Sequence, residues 1–171
     1  MKATCPQCRR RVRLRKSRNI VCKCGFTFRY SEYFGKEKIF LVDANVIIFA
    51  VNNDKSHGRD CKKVLRRNDI AITDKVLDEV HNEINYHFYT YEVKDMSEEV
   101  KQLSTNFLKQ PSKKDLSLIQ AAVDHPEIGG IITYDNDFKN LATSGFIGSR
   151  TPKEDTIFFV GNAKDFLAKY G

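Results

Sequence analysis

The fold class of this chain is indicated most clearly by the stretch Ile39-Phe40-Leu41-Val42-Asp43-Ala44-Asn45. Its first four residues are all apolar, which predicts a strand buried on both faces, as in a parallel sheet covered by helices. An aspartate follows the strand directly. Because a charge without a partner is costly to bury, Asp43 indicates a functional position at the end of this strand.

The rest of residues 39–171 repeats this pattern of apolar runs between helical segments. The runs Ile70-Ala71-Ile72, Ile131-Ile132-Thr133-Tyr134 and Ile157-Phe158-Phe159-Val160 predict three further strands. Apolar periodicity and capping residues predict helices over 56–67, 74–88 with Thr73 as N-cap, 97–109, 113–124 with Ser112 as N-cap, and 163–169. Strands that alternate with helices indicate an α/β fold, with a mostly parallel sheet flanked by helices.

Acidic residues recur where ligands bind in such sheets, beyond the carboxyl ends of the strands. Asp43 and Asp135 each follow a predicted strand, and Asp137 comes two residues later. If the two strands are neighbours, these carboxylates converge and repel each other unless a cation such as Mg²⁺ or Mn²⁺ neutralises them. A divalent ion held by carboxylates is the chemistry of phosphodiester hydrolysis.

Each of these acids has a structural alternative. Asp115 opens the helix predicted at 113–124, where it is placed equally well to form a capping box with Ser112. Asp135 could belong to a turn, and Asp137 could begin the next helix.

The first 24 residues contain four of the five cysteines, as Cys5-Pro-Gln-Cys8 and Cys22-Lys-Cys24. Two close pairs at this separation can place four thiolates around one Zn²⁺. Disulfides are the alternative, but the chain begins without a secretory signal and such tight loops would strain the bonds. Alternating residues around the pairs indicate short strands. We therefore predict a zinc ribbon over residues 1–34, a linker over 35–38 and an α/β domain over 39–171.

Charge is divided unevenly along the chain. Residues 1–38 carry 12 Lys and Arg against 2 Asp and Glu, a net of +10, whereas residues 39–171 carry 17 against 20, a net of −3. A small module so basic, with aromatic residues beside the charge, predicts binding to nucleic acid. The candidate contacts are Arg9, Arg10, Arg11, Arg13, Arg15, Lys16 and Arg18.

No apolar run approaches the about 18 residues of a membrane span. The N-terminus also lacks the apolar segment of a secretory signal. Both observations predict a soluble, cytoplasmic protein without a membrane partner.

Four segments together resemble the PIN-domain nucleases: residues 40–48, Val76-Leu77-Asp78-Glu79, Asp115 at a helix start, and Thr133-Tyr134-Asp135-Asn136-Asp137-Phe138. The resemblance extends from residue 39 to about residue 159. It implies a PIN-like, flavodoxin-like sheet, an acidic pocket for Mg²⁺ or Mn²⁺, and endoribonuclease activity that leaves 3′-hydroxyl and 5′-phosphate ends. It also implies catalytic roles for Asp43, Glu79, Asp115, Asp135, Asp137, Asn45 and Thr133, with the metal bound by Asp43, Asp115 and Asp135. Helical periodicity alone does not separate Glu79 from Glu83 or Asp78.

The sequence therefore favours a metal-dependent endoribonuclease whose basic zinc ribbon binds RNA. The RNA would be single-stranded or structured, with precursors of ribosomal RNA among the candidates, and the resemblance is compatible with a homodimer. Two alternatives stay open. One is a toxin ribonuclease of the VapC type, and the other is an RNA-binding adaptor without catalytic activity.

Overall fold

A computed structural model of the chain describes residues 2–4, 11–13, 20–25, 27–28, 38–67, 69–81, 88–103, 111–125, 127–138 and 158–171. The N-terminal part contains two antiparallel strand pairs. Strand β1 (Lys2–Thr4) pairs with β2 (Arg11–Arg13), and β3 (Ile20–Val21) pairs with β4 (Thr27–Phe28). Strands β2 and β4 lie in segments where alternation of residue types predicts strands.

A five-stranded, all-parallel sheet forms the centre of the remaining chain. Its strands are β5 (Ile39–Val42), β6 (Ile70–Thr73), β7 (Tyr89–Tyr91), β8 (Ile128–Ile132) and β9 (Phe159–Gly161). They are arranged in the order β7-β6-β5-β8-β9. The predicted α/β class with a parallel sheet is confirmed, and the arrangement is compatible with a flavodoxin-like fold.

Helices flank the sheet and pack against one another. The helices are α1 (Ala44–Val51), α2 (Gly58–Leu65), α3 (Asp74–Val80), α4 (Glu98–Leu103), α5 (Lys113–Asp124) and α6 (Ala163–Tyr170). Helix α2 packs against α1 and α6, whereas α5 packs against α3, α4 and the strands β6 and β8. Among the residues that the structure describes, no helix is both long enough and apolar enough to cross a membrane.

The core is built on β5, which is buried along its whole length. The Phe40 ring lies 4.8 Å from the rings of both Phe166 and Tyr170 in the C-terminal helix. Arg67 fastens the same helix, since its guanidinium donates to both carboxylate oxygens of Asp69 and to the Tyr170 carbonyl at 2.8 Å. The strand that carries Asp43 is therefore held rigidly from one side by aromatic packing.

Several predicted boundaries differ from the structure. Helix α1 was not predicted, because its residues are almost uniformly apolar and show no helical period. The helix predicted at 74–88 ends at Val80, residues 82–87 lie outside the described part, and β7 follows at Tyr89.

Strand β8 begins at Ile128 rather than at the predicted Ile131, and it ends before Thr133. The segment contains Gly129 and Gly130, and two adjacent glycines are typical of a turn rather than of a strand. A Cβ at Gly130 would collide with the carbonyl oxygen of Phe159 on the neighbouring strand. The glycine is thus needed for close strand packing rather than for a turn.

Candidate functional site

The central feature of the sheet is the reversal of strand order between β5 and β8. In open α/β sheets the crevice beyond the carboxyl ends of the strands at such a reversal is the usual ligand site. Val42 pairs with Ile132 at the end of these two strands, and the Asp43 amide donates to the Ile132 carbonyl at 3.0 Å. The strands that precede Asp43 and Asp135 are therefore neighbours, as the convergence of the two acids requires.

Asp43 is buried at this crevice, with 1% of its surface exposed. It is the N-cap of α1, and its Oδ1 accepts from the Ala44 amide at 2.6 Å. Its Oδ2 accepts from Asn45 Nδ2 and from Thr133 Oγ1, both at 2.7 Å. These donors, together with the positive end of the α1 dipole, stabilise an ionised carboxylate at a buried position.

Asn45 and Thr133 join the two strand ends. Thr133 Oγ1 accepts from the Asp135 amide at 2.9 Å while it donates to Asp43. Asn45 Oδ1 accepts from the Tyr134 amide at 3.3 Å, so both the oxygen and the nitrogen of the Asn45 side chain form hydrogen bonds. The two residues therefore contact groups at both strand ends.

Asp135 reaches the cluster through Thr133. It is half-buried, and its Oδ1 accepts from the Asp137 amide at 2.9 Å, which closes a turn within the loop after β8. Helical backbone begins at Asp137. The structure therefore shows both structural alternatives, a turn at Asp135 and a helical start at Asp137, at a place adjoining Asp43.

Lys114 lies at the meeting point of three carboxylates. Its Nζ is 3.3 Å from Asp43 Oδ1, 3.4 Å from Glu79 Oε2 and 3.7 Å from Asp115 Oδ1. The three acids come from three separate elements: the end of β5, helix α3 and the first turn of α5. Only 21% of the Lys114 side chain is exposed. A cation therefore already occupies the centre of this acid cluster.

Asp115 combines the two roles that the sequence left open. Its Oδ2 accepts from the amide of Ser112 at 2.8 Å and from Ser112 Oγ at 2.7 Å, while its own amide donates back to Ser112 Oγ. This is a complete capping box at the start of α5. The other oxygen, Oδ1, faces Lys114. The cap consequently fixes the orientation of an oxygen that belongs to the cluster.

Glu79 is brought to the cluster by the packing of α3 on α5. Thr73 caps α3 and forms a hydrogen bond of 2.7 Å with Ser117 Oγ in α5, and both side chains are buried. The Glu79 side chain remains 43% exposed. Asp78 is exposed on the same helix, and Glu83 lies outside the described residues.

The pKa values reflect this crowding of charge. Burial raises the pKa of Asp43 above its ordinary value, and the nearby Lys114 and the Thr133 hydrogen bond offset only part of that effect. Burial by itself would lower the pKa of Lys114, but the carboxylates of Asp43, Asp115 and Glu79 more than compensate, so its pKa is raised. The carboxylates thus hold Lys114 in its charged form.

Carboxylate oxygens from several elements are the donors that Mg²⁺ and Mn²⁺ take, so the chemistry of the cluster fits a hard divalent cation. The spacing is wider than a bound metal would have. Among the described residues, no three His, Cys, Asp or Glu side chains already form a ligand set. Oxygens at 3.3–3.7 Å from one ammonium would have to draw in to about 2.1 Å from a Mg²⁺ ion.

An aromatic group lies next to the site. The Tyr134 ring is 4.5 Å from the His57 ring and 5.2 Å from the Phe49 ring, and its hydroxyl is 3.6 Å from Cys61 Sγ. Burial raises the pKa of the Cys61 thiol. Cys61 is thus a buried thiol, and the group supports the loop after β8.

The N-terminal cysteines are described only in part. Cys22 and Cys24 flank a turn closed by a 2.8 Å hydrogen bond from the Gly25 amide to the Cys22 carbonyl, with Gly25 at φ +90°. Arg11 and Arg13 lie in β2. The remaining predicted ligands and nucleic-acid contacts lie outside the described residues, namely Cys5, Cys8, Arg9, Arg10, Arg15, Lys16 and Arg18.

The central position of Lys114 was not predicted. The sequence indicates a solvated lysine or a phosphate contact in the first turn of α5, as for Lys113. Its helix position, directly before Asp115, is compatible with both orientations, and only the packing of α3 against α5 distinguishes them.

Comparison of the chain with protein-family models, with curated proteins and with solved structures found no match.

Proposed function

We propose that this protein is a metal-dependent endoribonuclease that hydrolyses RNA phosphodiester bonds. The observation that carries the proposal is the convergence of Asp43, Glu79 and Asp115 on one cation at the reversal of strand order. A purely structural acid needs one partner, whereas here three carboxylates from three elements surround one point. Such a convergence costs stability through mutual repulsion, and a functional site is the ordinary reason to retain it.

The chain's own residues have distinct parts in this hydrolysis. Asp43 and Asp115, with Asp135, would hold a Mg²⁺ or Mn²⁺ ion, and Glu79 would complete the site or orient the attacking water. A divalent ion held there supplies Lewis-acid polarisation of the phosphate and activation of water. Thr133 and Asn45 fix the Asp43 carboxylate, so that its geometry does not depend on the substrate. Asp137 acts indirectly, because its backbone amide donates to Asp135 Oδ1.

A PIN-like version of the α/β fold accounts for this placement. Of the acids that match the PIN motifs, Asp43 follows β5, Asp135 follows β8, and Asp115 lies in the first turn of α5. The strand order puts the first strand of the domain at the centre of the sheet.

A zinc ribbon is the proposed N-terminal module, held by Cys5, Cys8, Cys22 and Cys24. Two antiparallel strand pairs support it, because each cysteine pair falls in the chain segment that connects the two strands of one pair. Pairs of only two or three residues per strand are too small to be stable alone, so a structural Zn²⁺ would supply the missing stability.

The basic N-terminal module would bind the RNA. With a net charge of −3, residues 39–171 repel a polyanion, whereas residues 1–38 at +10 attract it. Phosphate contacts there would bring the strand to the acid cluster of the other module.

A second candidate function is an RNA-binding adaptor without catalysis. One observation favours it: the Lys114 ammonium contacts all three carboxylates of the cluster, so they have a structural partner within the chain.

Cleavage of an end-labelled RNA by the Asp43→Asn variant separates the two functions. The variant keeps the size of the side chain but removes the charge, so we expect the loss of cleavage to exceed the about 10- to 100-fold typical of a residue that only orients a ligand. Wild-type cleavage should require Mg²⁺ or Mn²⁺, stop in EDTA and leave 5′-phosphate ends.

The matched control is Asp78→Asn, which changes an exposed acid on α3 outside the cluster and should leave cleavage unchanged. Cleavage that survives both Asp43→Asn and EDTA would exclude the metal-dependent mechanism. Tight RNA binding without any cleavage would favour the adaptor.

A further inference from the structure

The Lys114 ammonium is held by more charge than a single surface ion pair provides. It contacts Asp43, Glu79 and Asp115, and the Asp43 carboxylate among them is almost completely buried. Lys113, the preceding residue, is exposed. The two adjacent lysines therefore differ in environment while they share a helix turn, which makes Lys113 an internal reference for Lys114.

A divalent ion bound by these carboxylates cannot coexist with the ammonium in its present place. An ion at the point where the three oxygens converge would lie within about 4 Å of Nζ, where like charges repel strongly even with partial solvent screening. The same oxygens cannot close to metal–ligand distance while Nζ remains between them. One cation must leave for the other to bind.

We propose that Lys114 is the built-in counterion of the metal-free site and that a divalent cation binds only by displacing its ammonium. This inference rests on the proposed metal-dependent function and adds a competition step to it. The lysine supplies the positive charge between the three carboxylates when no metal is bound, and a divalent ion has to compete with it for the site.

The displaced side chain has a route out of the cluster. Lys114 lies in the first turn of α5 and one fifth of its side chain already reaches solvent. A lysine has four rotatable methylene carbons, so its ammonium can move to water while the stem keeps its packing. No backbone change in α5 is required, and the capping box of Ser112 and Asp115 stays intact.

Metal titration of Lys114→Met tests the competition directly. Mn²⁺ binding is followed calorimetrically, without RNA, in wild type, Lys114→Met and the matched control Lys113→Met. We expect Lys114→Met to bind Mn²⁺ at least about tenfold more tightly than wild type, because no ammonium has to be expelled. Lys113→Met should bind as wild type does. Equal affinity of Lys114→Met and wild type would overturn the inference.

The wild-type protein provides a second measurement, in case Lys114→Met folds poorly. Lysines are acylated briefly with an amine-reactive ester, and the modified sites are quantified by peptide mass spectrometry in EDTA and at saturating Mn²⁺. The acylation rate of Lys114 should rise several-fold with Mn²⁺, while that of Lys113 stays constant. A Lys114 rate that does not respond to bound Mn²⁺ would show that the ammonium is not displaced.

These outcomes are independent of cleavage. If Lys114→Met binds Mn²⁺ more tightly but no variant cleaves RNA, the counterion role stands and the nuclease proposal fails. If RNA is cleaved with Mn²⁺ while Lys114 neither competes nor moves, the nuclease proposal stands and the counterion role fails.

Discussion

Asp43 shows most clearly how this chain stabilises a charge where burial opposes it. Desolvation of a carboxylate costs several kcal/mol in a protein interior unless partners replace the lost water. Here the Ala44 amide, Asn45, Thr133 and Lys114 act as those partners. All four depend on the surrounding fold, so the Asp43 carboxylate is held in one orientation before any ligand arrives.

Thr133 is the partner whose role can be isolated by substitution. Thr133→Val preserves the side-chain shape but removes a donor to Asp43 and an acceptor for the Asp135 amide. We expect unfolding free energy to fall by about 1–3 kcal/mol and Mn²⁺ affinity to fall by about 10- to 100-fold.

Thr133→Ser retains the hydroxyl and is the control, expected to bind Mn²⁺ nearly as wild type does. Calorimetric titration and denaturant unfolding measure the two effects. If the valine and serine variants bound Mn²⁺ equally well, Thr133 would not position the site.

For single residues, the sequence indicates which acids are candidates for the site, but it does not indicate that the Lys114 ammonium lies among them. Asp43 is recognisable because it ends a wholly apolar strand, and the structure shows that it is buried. Lys114 is not recognisable in the same way. A lysine in a first helical turn is ordinarily solvated, and its contacts with Asp43 and Glu79 come from residues 71 and 35 positions away in the chain.

Among the elements, α5 carries two of the charged groups of the cluster in its first turn. Its N-terminus is fixed by the capping box of Ser112 and Asp115, and the buried hydrogen bond between Thr73 and Ser117 fixes its contact with α3. The same residue, Asp115, therefore serves both the helix and the cluster through its two oxygens.

Two substitutions separate these roles of Asp115. Ser112→Ala removes the cap hydroxyl, so it should lower unfolding free energy by about 1 kcal/mol. The Ser112 amide still donates to Asp115 Oδ2 and keeps the carboxylate oriented, so Mn²⁺ affinity should change little. Asp115→Asn keeps an oxygen for the Ser112 amide but loses the charge, so it should weaken Mn²⁺ binding more than about tenfold while costing less stability. If both variants changed stability alone, Asp115 would be a capping residue and nothing more.

Elements with explicit end signals were the ones that could be predicted closely. The bounds of α5 match the prediction because Ser112 marks its start, and Thr73 marks the start of α3 in the same way. The sequence does not indicate helix α1 because its apolar residues conceal the helical period, and the predicted start of β8 is shifted because Gly130, which contact with β9 requires, is typical of a turn. In each case tertiary packing overrode the local signal.

For the whole molecule, the separation of charge is the property that bears most on RNA binding. The proposed division assigns phosphate affinity to the basic N-terminal residues and hydrolysis to the acidic cluster of residues 39–171. Sequence alone reveals the separation of charge, because it needs only a count of charged residues. Sequence does not reveal the strand order, since each crossover could place the next strand on either side of β5.

The salt dependence of RNA binding by the full chain tests whether the basic N-terminal residues supply the phosphate contacts. Replacing Arg9, Arg10 and Arg11 by Gln removes three predicted phosphate contacts. At about 0.7 per contact for single-stranded nucleic acid, the slope of log affinity against log salt should become shallower by about 2. The control replaces Lys94, Lys101 and Lys169, three exposed lysines outside the basic module, by Gln. A control slope that changed as much as that of the arginine variant would contradict the division.

We propose that Asp43, Glu79 and Asp115, with Asp135 beside them, share one divalent cation at the end of β5. Anomalous diffraction from crystals soaked in millimolar Mn²⁺ would locate this cation. We expect a manganese peak among these carboxylates, with the Lys114 ammonium moved out toward solvent. Crystals that show no manganese there, with Nζ still between Asp43 and Glu79, would contradict it.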